Sequence, residues 1–182
     1  PIWARSLAIG ETNPVVLIAV DNCGVPAHIT RAVLAELKES HAITESQLVI
    51  SSTHTHNAPA LRGYATIVWA GRTTDAQEQR VDRYTLWLTE QLIKTAQAAL
   101  DNRQPASLSW GQGIVDFGGN RRVISNGKWA GFGFQQNGPV DHSLPVMAAR
   151  NNDGNMIAVW TNYACHCTTV GGRNHIGGDW AG

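Results

Sequence analysis

The sequence has few charged residues and no excess of either sign. It contains 14 Lys and Arg and 14 Asp and Glu, so the formal net charge is zero, and charged residues make up 15% of the chain. Proteins that bind nucleic acid or anionic membrane surfaces present a basic patch, so this composition argues against both kinds of partner. No apolar run approaches the ~20 residues that a membrane-spanning helix needs. We expect a small or neutral partner and no transmembrane segment.

Cysteine is also scarce, and internal repeats are absent. The three cysteines, Cys23, Cys165 and Cys167, are an odd number and give no disulfide framework. Free cysteine is among the most buried residue types, so we expect Cys23 and Cys165 to be buried. Cys167 is either buried or a thiolate ligand. A length of 182 residues predicts a single domain over 1–182.

Two histidines follow an apolar run. Leu48–Ser52 leads into His54 and His56, and side chains two apart on an extended backbone point the same way. Met156–Tyr163 is a second apolar run, and it leads to His166. Because sites in open α/β sheets assemble at the carboxyl ends of strands, these imidazoles are candidate ligands of one transition metal such as zinc. The alternative is that they are unrelated surface histidines.

The first half of the chain alternates strand and helix. Val15–Val20 reads as a strand covered on both faces, and a helix follows Pro26 to about Ser40. A strand over Gln47–Ser52 then predicts a parallel βαβ crossover. A loop from Asn57 to about Ala76 precedes a helix over Val81–Leu100, whose apolar residues repeat at helical spacing.

The second half predicts hairpins. Short apolar runs are punctuated by Asn126-Gly127 and Asp153-Gly154, which are hairpin signals. The fold class expected is therefore α/β, with a mixed β-sheet, a parallel crossover in the first half, a β-rich second half and helices packed on the sheet.

Four ordered motifs carry a family resemblance. Ser51–Pro59, Gly119–Arg121, Asn162–His166 and Gly178–Trp180 resemble motifs of the neutral/alkaline non-lysosomal ceramidase N-terminal domain. The chain is most similar to the shorter bacterial members. The resemblance implies a catalytic domain of which residues 1–182 are a part, with further N- and C-terminal segments expected.

The resemblance also implies roles for particular residues. His54 and His166 match zinc ligands, His56 matches a histidine that faces the substrate, and Arg121 matches an arginine that helps to bind it. The family completes its site with a glutamate, a tyrosine and a serine, which are expected beyond Gly182. A fragment without them is expected to be inactive.

Three further residues are candidates for supporting roles. Asp179 matches the family motif and either orients a zinc-binding histidine or caps a turn. Asp21 follows the first predicted strand, where it either joins the site or forms part of a turn. Cys167 stands directly after His166, so its thiolate could enter the zinc shell and close the open position.

The resulting functional hypothesis is a zinc-dependent amide hydrolase. The resemblance implies hydrolysis of the N-acyl linkage of ceramide or a related amide, with a small-molecule or lipid amide as substrate. The alternatives are a zinc hydrolase of ester or phosphate bonds, with Asp21 and Asp179 as the only candidate carboxylate ligands of a second metal, and a non-catalytic metal-binding domain. The resemblance also suggests export to the periplasm or the medium, whereas the oligomeric state is open.

Overall fold

The chain forms two compact units. The computed structural model describes residues 1–171 and 173–182. Unit 1 consists of Pro1–Arg103 and Cys167–Gly182, and unit 2 consists of Gln104–His166. Each unit is described by itself below, and the single domain over 1–182 stays a prediction.

A mixed three-stranded sheet forms the base of unit 1. Its strands are β1 (Ala4–Ile9), β2 (Val15–Val20) and β3 (Leu48–Ser52), in the order β1-β2-β3. β1 pairs with β2 in antiparallel fashion, and β2 pairs with β3 in parallel. The predicted strand over Val15–Val20 and the parallel crossover are confirmed, whereas β1 was not predicted.

The crossover helix agrees with its sequence pattern. α1 spans Ala27–His41 and ends at Ala42, whose φ of 57° is the left-handed conformation of a helix C-cap. Its buried residues are Ile29, Val33 and Leu37, the positions that the apolar repeat indicates. A 3-10 turn over Glu45–Gln47 then leads into β3, so the strand begins one residue later than predicted.

The long helix starts earlier than its apolar stripe. After a short helix α2 (Thr66–Trp69), which lies in the predicted loop, α3 runs from Asp75 to Asp101. The prediction of Val81 as its first residue was wrong, because the first turn is polar and is fixed by a capping box. In that box the Gln77 amide N–H donates to the Thr74 hydroxyl at 3.3 Å, and the Thr74 amide N–H donates to the Gln77 side chain at 2.8 Å.

The core of unit 1 lies between the sheet and these helices. α3 packs against β1 and β2, and α1 packs against α3. The buried core residues are Val16, Ile18, Val20, Ile29, Val33, Leu37, Ile43, Leu61, Leu88, Leu92, Ala96 and Leu100. This core supports the end of the sheet from which the histidine loop emerges. No helix in residues 1–171 and 173–182 is long and apolar enough to cross a bilayer.

Unit 2 is built from strands and turns. Its strands are β4 (Ala106–Ile114), β5 (Arg122–Ser125), β6 (Lys128–Phe132), β7 (Ser143–Asn151) and β8 (Met156–Thr161). β4, β7 and β8 form an antiparallel sheet in the order β4-β7-β8, and β5 and β6 form a hairpin. The hairpin turns at Asn126 and Gly127, with φ of 51° and 73°. The predicted α/β class with a β-rich second half is confirmed.

Candidate metal-binding site

The two histidines of the Thr-His-Thr-His run lie side by side, but not for the reason expected. β3 ends at Ser52, and His54 has a φ of 63°, so the backbone is not extended at this point. The i, i+2 alternation of a strand therefore does not apply, and that part of the prediction was wrong. The turn at His54 nevertheless brings its ring centroid to 5.1 Å from that of His56, edge to face at 79°.

A backbone carbonyl fixes the tautomer of His54. Its Nδ1 lies 2.5 Å from the carbonyl oxygen of Cys23. A carbonyl can only accept a hydrogen bond, so Nδ1 carries the hydrogen and Nε2 keeps its lone pair. Hydrogen bonds of this kind orient metal-binding histidines in proteins, because they fix the ring and raise the basicity of the other nitrogen.

A thiol lies beside the histidine pair. Cys23, His54 and His56 are a group of possible metal ligands in the described part of the chain, with donor atoms within 4.8 Å of one another. Cys23 is half-buried, and its Sγ lies 3.9 Å from His54 Nδ1. The prediction that Cys23 and Cys165 are buried was wrong, since both are only half-buried. The signal that could have found Cys23 is its place after β2, which is parallel to β3 and ends at the same edge.

The threonine between the histidines anchors the loop. Thr55 is fully buried, its hydroxyl donates to the Gly177 carbonyl at 2.8 Å, and it accepts from the Asn57 amide at 3.2 Å. The Gly177 amide in turn donates to the Asn57 carbonyl at 3.0 Å. The segment that carries the Gly178–Trp180 motif therefore holds the histidine loop in place from within unit 1.

Several buried polar atoms around this loop have no hydrogen-bond partner among the described residues. They include Asn22 Nδ2, Thr53 Oγ1 and Asn57 Oδ1. Asn22 is 1% exposed, and its other amide atom accepts from the Ser52 hydroxyl at 2.7 Å. Buried polar groups are nearly always paired, so such a cluster marks a place that a ligand or further protein groups complete.

In unit 2 the structure brings together the other two predicted site residues. Arg121 Nη2 lies 3.1 Å from His166 Nδ1, and both side chains are exposed. A guanidinium can only donate, so His166 Nδ1 accepts and the hydrogen sits on Nε2. This tautomer is the opposite of the one at His54. For His166 to bind a metal through Nε2, its hydrogen must move to Nδ1. Nδ1 can then no longer accept the hydrogen bond from Arg121.

Local contacts hold the loop that presents Arg121. The Asn120 side chain donates to the Pro139 carbonyl at 2.9 Å and accepts from the Arg122 amide at 2.9 Å. Earlier in the loop, the Tyr163 hydroxyl accepts from the Gly118 amide at 3.1 Å and donates to the Val115 carbonyl at 3.0 Å. A Cβ at Gly118 would lie 2.8 Å from that hydroxyl, which explains the glycine.

Asp21 links two segments of unit 1 through hydrogen bonds. It is 3% exposed, and its carboxylate accepts from the Trp3 amide at 2.9 Å. Its own amide donates to the Trp3 carbonyl at 2.8 Å, so the residue joins the end of β2 to the segment before β1. These contacts match the structural alternative that the sequence left open, and a role for Asp21 beside the metal stays a prediction.

Asp179 has local partners that match a turn. Its carboxylate accepts from the Thr169 hydroxyl and from the amides of Thr169, Val170 and Trp180, at 2.5 to 3.0 Å. Partial burial raises the pKa of this carboxyl, but these hydrogen bonds outweigh it and lower the pKa to about 2. Orientation of a histidine by Asp179 stays a prediction.

Cys167 is fully buried, and its carbonyl accepts from the His56 amide at 3.4 Å.

Comparison with protein families gives a match over the whole chain. The family described as "Neutral/alkaline non-lysosomal ceramidase, N-terminal" matches residues 1–182. Two relatives from Dictyostelium discoideum, neutral ceramidase A and neutral ceramidase B, are 24% identical over 179 residues and 25% identical over 173 residues. The alignments cover 91% and 90% of this chain, which spans only 23% of the length of each relative.

Two solved structures share the fold. The crystal structure of neutral ceramidase from Pseudomonas aeruginosa matches with a TM-score of 0.71 at 15% identity. A structure described as "Ceramidase complexed with C2" matches with a TM-score of 0.72, also at 15% identity. Each match covers 97% of this chain and 28% of the other. At this level of identity the likeness shows the fold alone.

Proposed function

The chain belongs to the neutral/alkaline non-lysosomal ceramidase family, and from this premise we propose that it forms part of a zinc-dependent amide hydrolase. The proposed reaction is hydrolysis of the N-acyl linkage of ceramide or a related amide. The observation that carries the proposal is the hydrogen bond from His54 Nδ1 to the Cys23 carbonyl, which places the hydrogen on Nδ1 and makes Nε2 the nitrogen that can coordinate a metal.

The donor set around His54 fits zinc. Imidazole nitrogen and thiolate sulfur are both ligands that zinc prefers, and the group of Cys23, His54 and His56 offers both kinds. Asn22 and Thr53, whose buried polar atoms have no partner in the part of the chain that the structure describes, are adjacent in sequence to members of this group. When bound, zinc lowers the pKa of a coordinated water to about 7 and polarises a carbonyl oxygen, which suits amide hydrolysis.

Each site residue has a proposed part in this reaction. His54 and His166 bind the zinc, an assignment that rests on the family resemblance and on the chemistry of imidazole. His56 is exposed beside His54, where its ring can contact the substrate and give or take a proton at the reacting bond. Arg121 is exposed and can hold a polar group of the substrate, or a product carboxylate, through a forked pair of hydrogen bonds.

The alternative of ester or phosphate hydrolysis with two metals has less support. Its signature is a second metal held by aspartates close to the first. The group of possible ligands around His54 in the described residues contains neither Asp21 nor Asp179. Both carboxylates already accept backbone hydrogen bonds, so amide hydrolysis is the function that the site supports best.

Metal analysis of the full-length protein tests the zinc site. We expect one zinc per protein, and a loss of zinc from both His54→Ala and His166→Ala. His142→Ala is the matched control, because His142 is an exposed histidine whose Nδ1 contacts the Val115 carbonyl. Zinc that is retained by both site variants would contradict the assignment.

Activity toward a fluorescent N-acylsphingosine tests the reaction. The full-length protein is expected to hydrolyse it, and removal of zinc by a chelator is expected to abolish turnover until zinc is restored. Zinc binding without hydrolysis would favour another substrate or the non-catalytic alternative.

Export to the periplasm or the medium belongs to the same proposal and rests on the family resemblance. Fractionation of the source cells tests it.

A further inference from the structure

We propose that Tyr64 is a positioning residue for His54. Its ring holds the turn after β2, and the carbonyl of Cys23 in that turn fixes the hydrogen of His54 on Nδ1. The inference deepens the proposed function and rests on it, because His54 is one of the proposed zinc ligands. Tyr64, Cys23 and His54 all lie in unit 1, so the argument uses only contacts within that unit.

The ring of Tyr64 packs directly on the backbone of the turn. A Cβ added to Gly24 would lie 2.2 Å from Cε2 of Tyr64 and 2.9 Å from its Cδ2. The φ of Gly24 lies outside the left-handed region, so it is the close approach of the ring that requires a glycine here. The Cys23 thiol also donates to the Tyr64 hydroxyl at 3.4 Å. The carbonyl that binds His54 belongs to the peptide bond between Cys23 and Gly24, so Tyr64 contacts the residues on both sides of it.

A second glycine makes a similar contact in the opposite direction. A Cβ added to Gly63 would lie 3.3 Å from Cε1 of the His28 ring and 3.8 Å from Cβ of Pro26. The segment that carries Tyr64 therefore packs on the segment that follows Cys23 at two places. Two contacts fix the direction of the turn as well as its position.

The segment that carries Tyr64 is itself attached to α3 and to the core. The Arg62 amide donates to the Thr85 hydroxyl at 2.9 Å, and Thr85 is buried. The Arg62 guanidinium donates to the Asp82 carboxylate at 2.5 Å. The Tyr64 amide donates to the carbonyl of Leu61, a core residue, at 3.1 Å. The core of unit 1 therefore supports Tyr64, and Tyr64 supports the turn.

The position of the Cys23 carbonyl matters because it determines which nitrogen of His54 is free to bind a metal. A neutral imidazole in water favours the hydrogen on Nε2, the nitrogen that the proposed site needs. The carbonyl, 2.5 Å from Nδ1, accepts the hydrogen there instead. If the turn shifts, this hydrogen bond is lost, and binding of zinc through Nε2 becomes weaker.

The tautomer of His54 in the metal-free, full-length protein tests the inference. Nitrogen NMR of selectively labelled histidine at mildly alkaline pH distinguishes the two neutral tautomers, and His54→Ala identifies the signal. We expect the hydrogen on Nδ1 in the parent protein and in Tyr64→Phe, which keeps the ring, but mostly on Nε2 in Tyr64→Ala. Tyr84→Ala is the matched control, because Tyr84 is also partly buried against the core of unit 1. It should keep the tautomer of the parent protein, whereas a general loss of packing would affect both variants.

Zinc affinity, measured by competition with a chelating dye, gives a second readout. It is expected to fall about 10-fold in Tyr64→Ala, at the lower end of the 10- to 100-fold losses that follow changes around metal ligands. Tyr64→Phe and Tyr84→Ala are expected to stay close to the parent value. A loss of the same size in Tyr84→Ala would overturn the specific role of Tyr64.

A second variant displaces the ring instead of removing it, and it decides the question if Tyr64→Ala fails to fold. Gly24→Ala places a Cβ against the Tyr64 ring, so we expect the same change of tautomer and a similar loss of zinc affinity. In the Tyr64→Ala background the ring is absent, and Gly24→Ala should add little.

The outcomes separate this inference from the proposed function. If His54 keeps its hydrogen on Nδ1 in folded Tyr64→Ala or in Gly24→Ala, the positioning role is overturned and the zinc hydrolase stands. If the tautomer changes as expected but the parent protein binds no zinc, the proposed zinc site is overturned and the effect of Tyr64 on His54 stands.

Discussion

A carbonyl and a guanidinium give the two predicted zinc-binding histidines opposite tautomers. The Cys23 carbonyl accepts from His54 Nδ1, whereas Arg121 donates to His166 Nδ1. His54 therefore carries its hydrogen on Nδ1, so Nε2 is the nitrogen that can coordinate the proposed zinc, whereas at His166 the hydrogen sits on Nε2. Arg121 also places a positive charge next to His166, which would oppose the binding of a divalent cation there. In the proposed site, Arg121 would therefore compete with the metal in addition to its proposed contact with the substrate.

We predict that Arg121→Ala binds zinc more tightly than the parent protein while its KM rises. A hydrogen bond contributes about 0.5–1.5 kcal/mol, so its removal should tighten zinc binding about 2- to 10-fold. The measurements are a zinc competition titration and steady-state kinetics on the full-length protein. Arg122→Ala is the control, since Arg122 is exposed and adjacent. Zinc affinity that is unchanged or weaker in Arg121→Ala would contradict the idea that Arg121 and zinc compete for His166.

Asp179 gives a second prediction at the residue scale. Asn at this position offers an amide N–H₂ where one carboxylate oxygen accepts hydrogen bonds, so Asp179→Asn loses contacts from the Val170 or Trp180 amides. We expect a loss of about 1 kcal/mol in unfolding free energy at pH 7, after allowing for solvent screening of a half-exposed group. Asp153→Asn, in an exposed turn, should change the unfolding free energy by less than about 0.5 kcal/mol.

The contribution of Asp179 to stability depends on pH, and the direction follows from its lowered pKa. The pKa of Asp179 falls from 3.8 to about 2 in the folded protein, so between these values the unfolded chain binds more protons. The stability that Asp179 provides is therefore present above pH 3.8 and is lost as the pH falls toward 2. Urea unfolding at pH 7 and at low pH measures the difference in unfolding free energy between the parent protein and Asp179→Asn. A difference that stays constant with pH would show that the carboxylate charge is not its source.

At the scale of elements, the loop after β3 depends on one buried hydroxyl. Thr55 donates to Gly177 and accepts from Asn57, and it is fully buried. In Thr55→Val the shape is kept, but the carbonyl and the amide lose their partner. Leaving buried polar groups unpaired costs about 1–3 kcal/mol, and the histidines that flank the residue should lose their fixed positions.

The neighbouring threonine provides the matched control. Thr53 Oγ1 is buried and has no hydrogen-bond partner among the described residues, so Thr53→Val should leave the unfolding free energy nearly unchanged or raise it. We therefore predict that Thr55→Val lowers both stability and zinc affinity, whereas Thr53→Val does not lower stability. Urea unfolding and zinc titration measure the two effects. Equal losses in both variants would contradict the special role of Thr55.

The spacing of apolar residues and the turn residues predict the regular helices and hairpins of this chain. They do not predict the places where the structure departs from these patterns. The apolar repeat of α1 and the Asn126-Gly127 hairpin followed directly from these rules, because each depends on neighbours in sequence. The start of α3 was missed because Thr74 fixes a polar first turn. The left-handed φ of His54 and the thiol of Cys23 at the site depend on contacts between distant segments. Sequence periodicity does not encode such contacts.

At the scale of the whole molecule, burial is unevenly distributed. The core of unit 1 draws on β2, α1 and α3, whereas every residue of β4 in unit 2 is exposed. Among the described residues, unit 2 contributes only Ala149 and Tyr163 to the buried apolar side chains. Local stability follows burial and protected hydrogen bonds, so the two units should open with different free energies. An isolated two-stranded hairpin such as β5-β6 is marginal in water.

Hydrogen exchange of the 182-residue chain, followed by mass spectrometry, tests this distribution. We predict the slowest amide exchange in β2, α1 and α3 and the fastest among the strands in β5 and β6. Leu92→Ala removes a fully buried side chain and should lower the unfolding free energy by about 2–5 kcal/mol, with faster exchange throughout the core of unit 1. Leu86→Ala, 69% exposed on the same helix, should change it by less than about 0.5 kcal/mol. Equal protection of β5-β6 and β2 would contradict the uneven stability, since it would require contacts that stabilise the hairpin as strongly as the buried core stabilises β2.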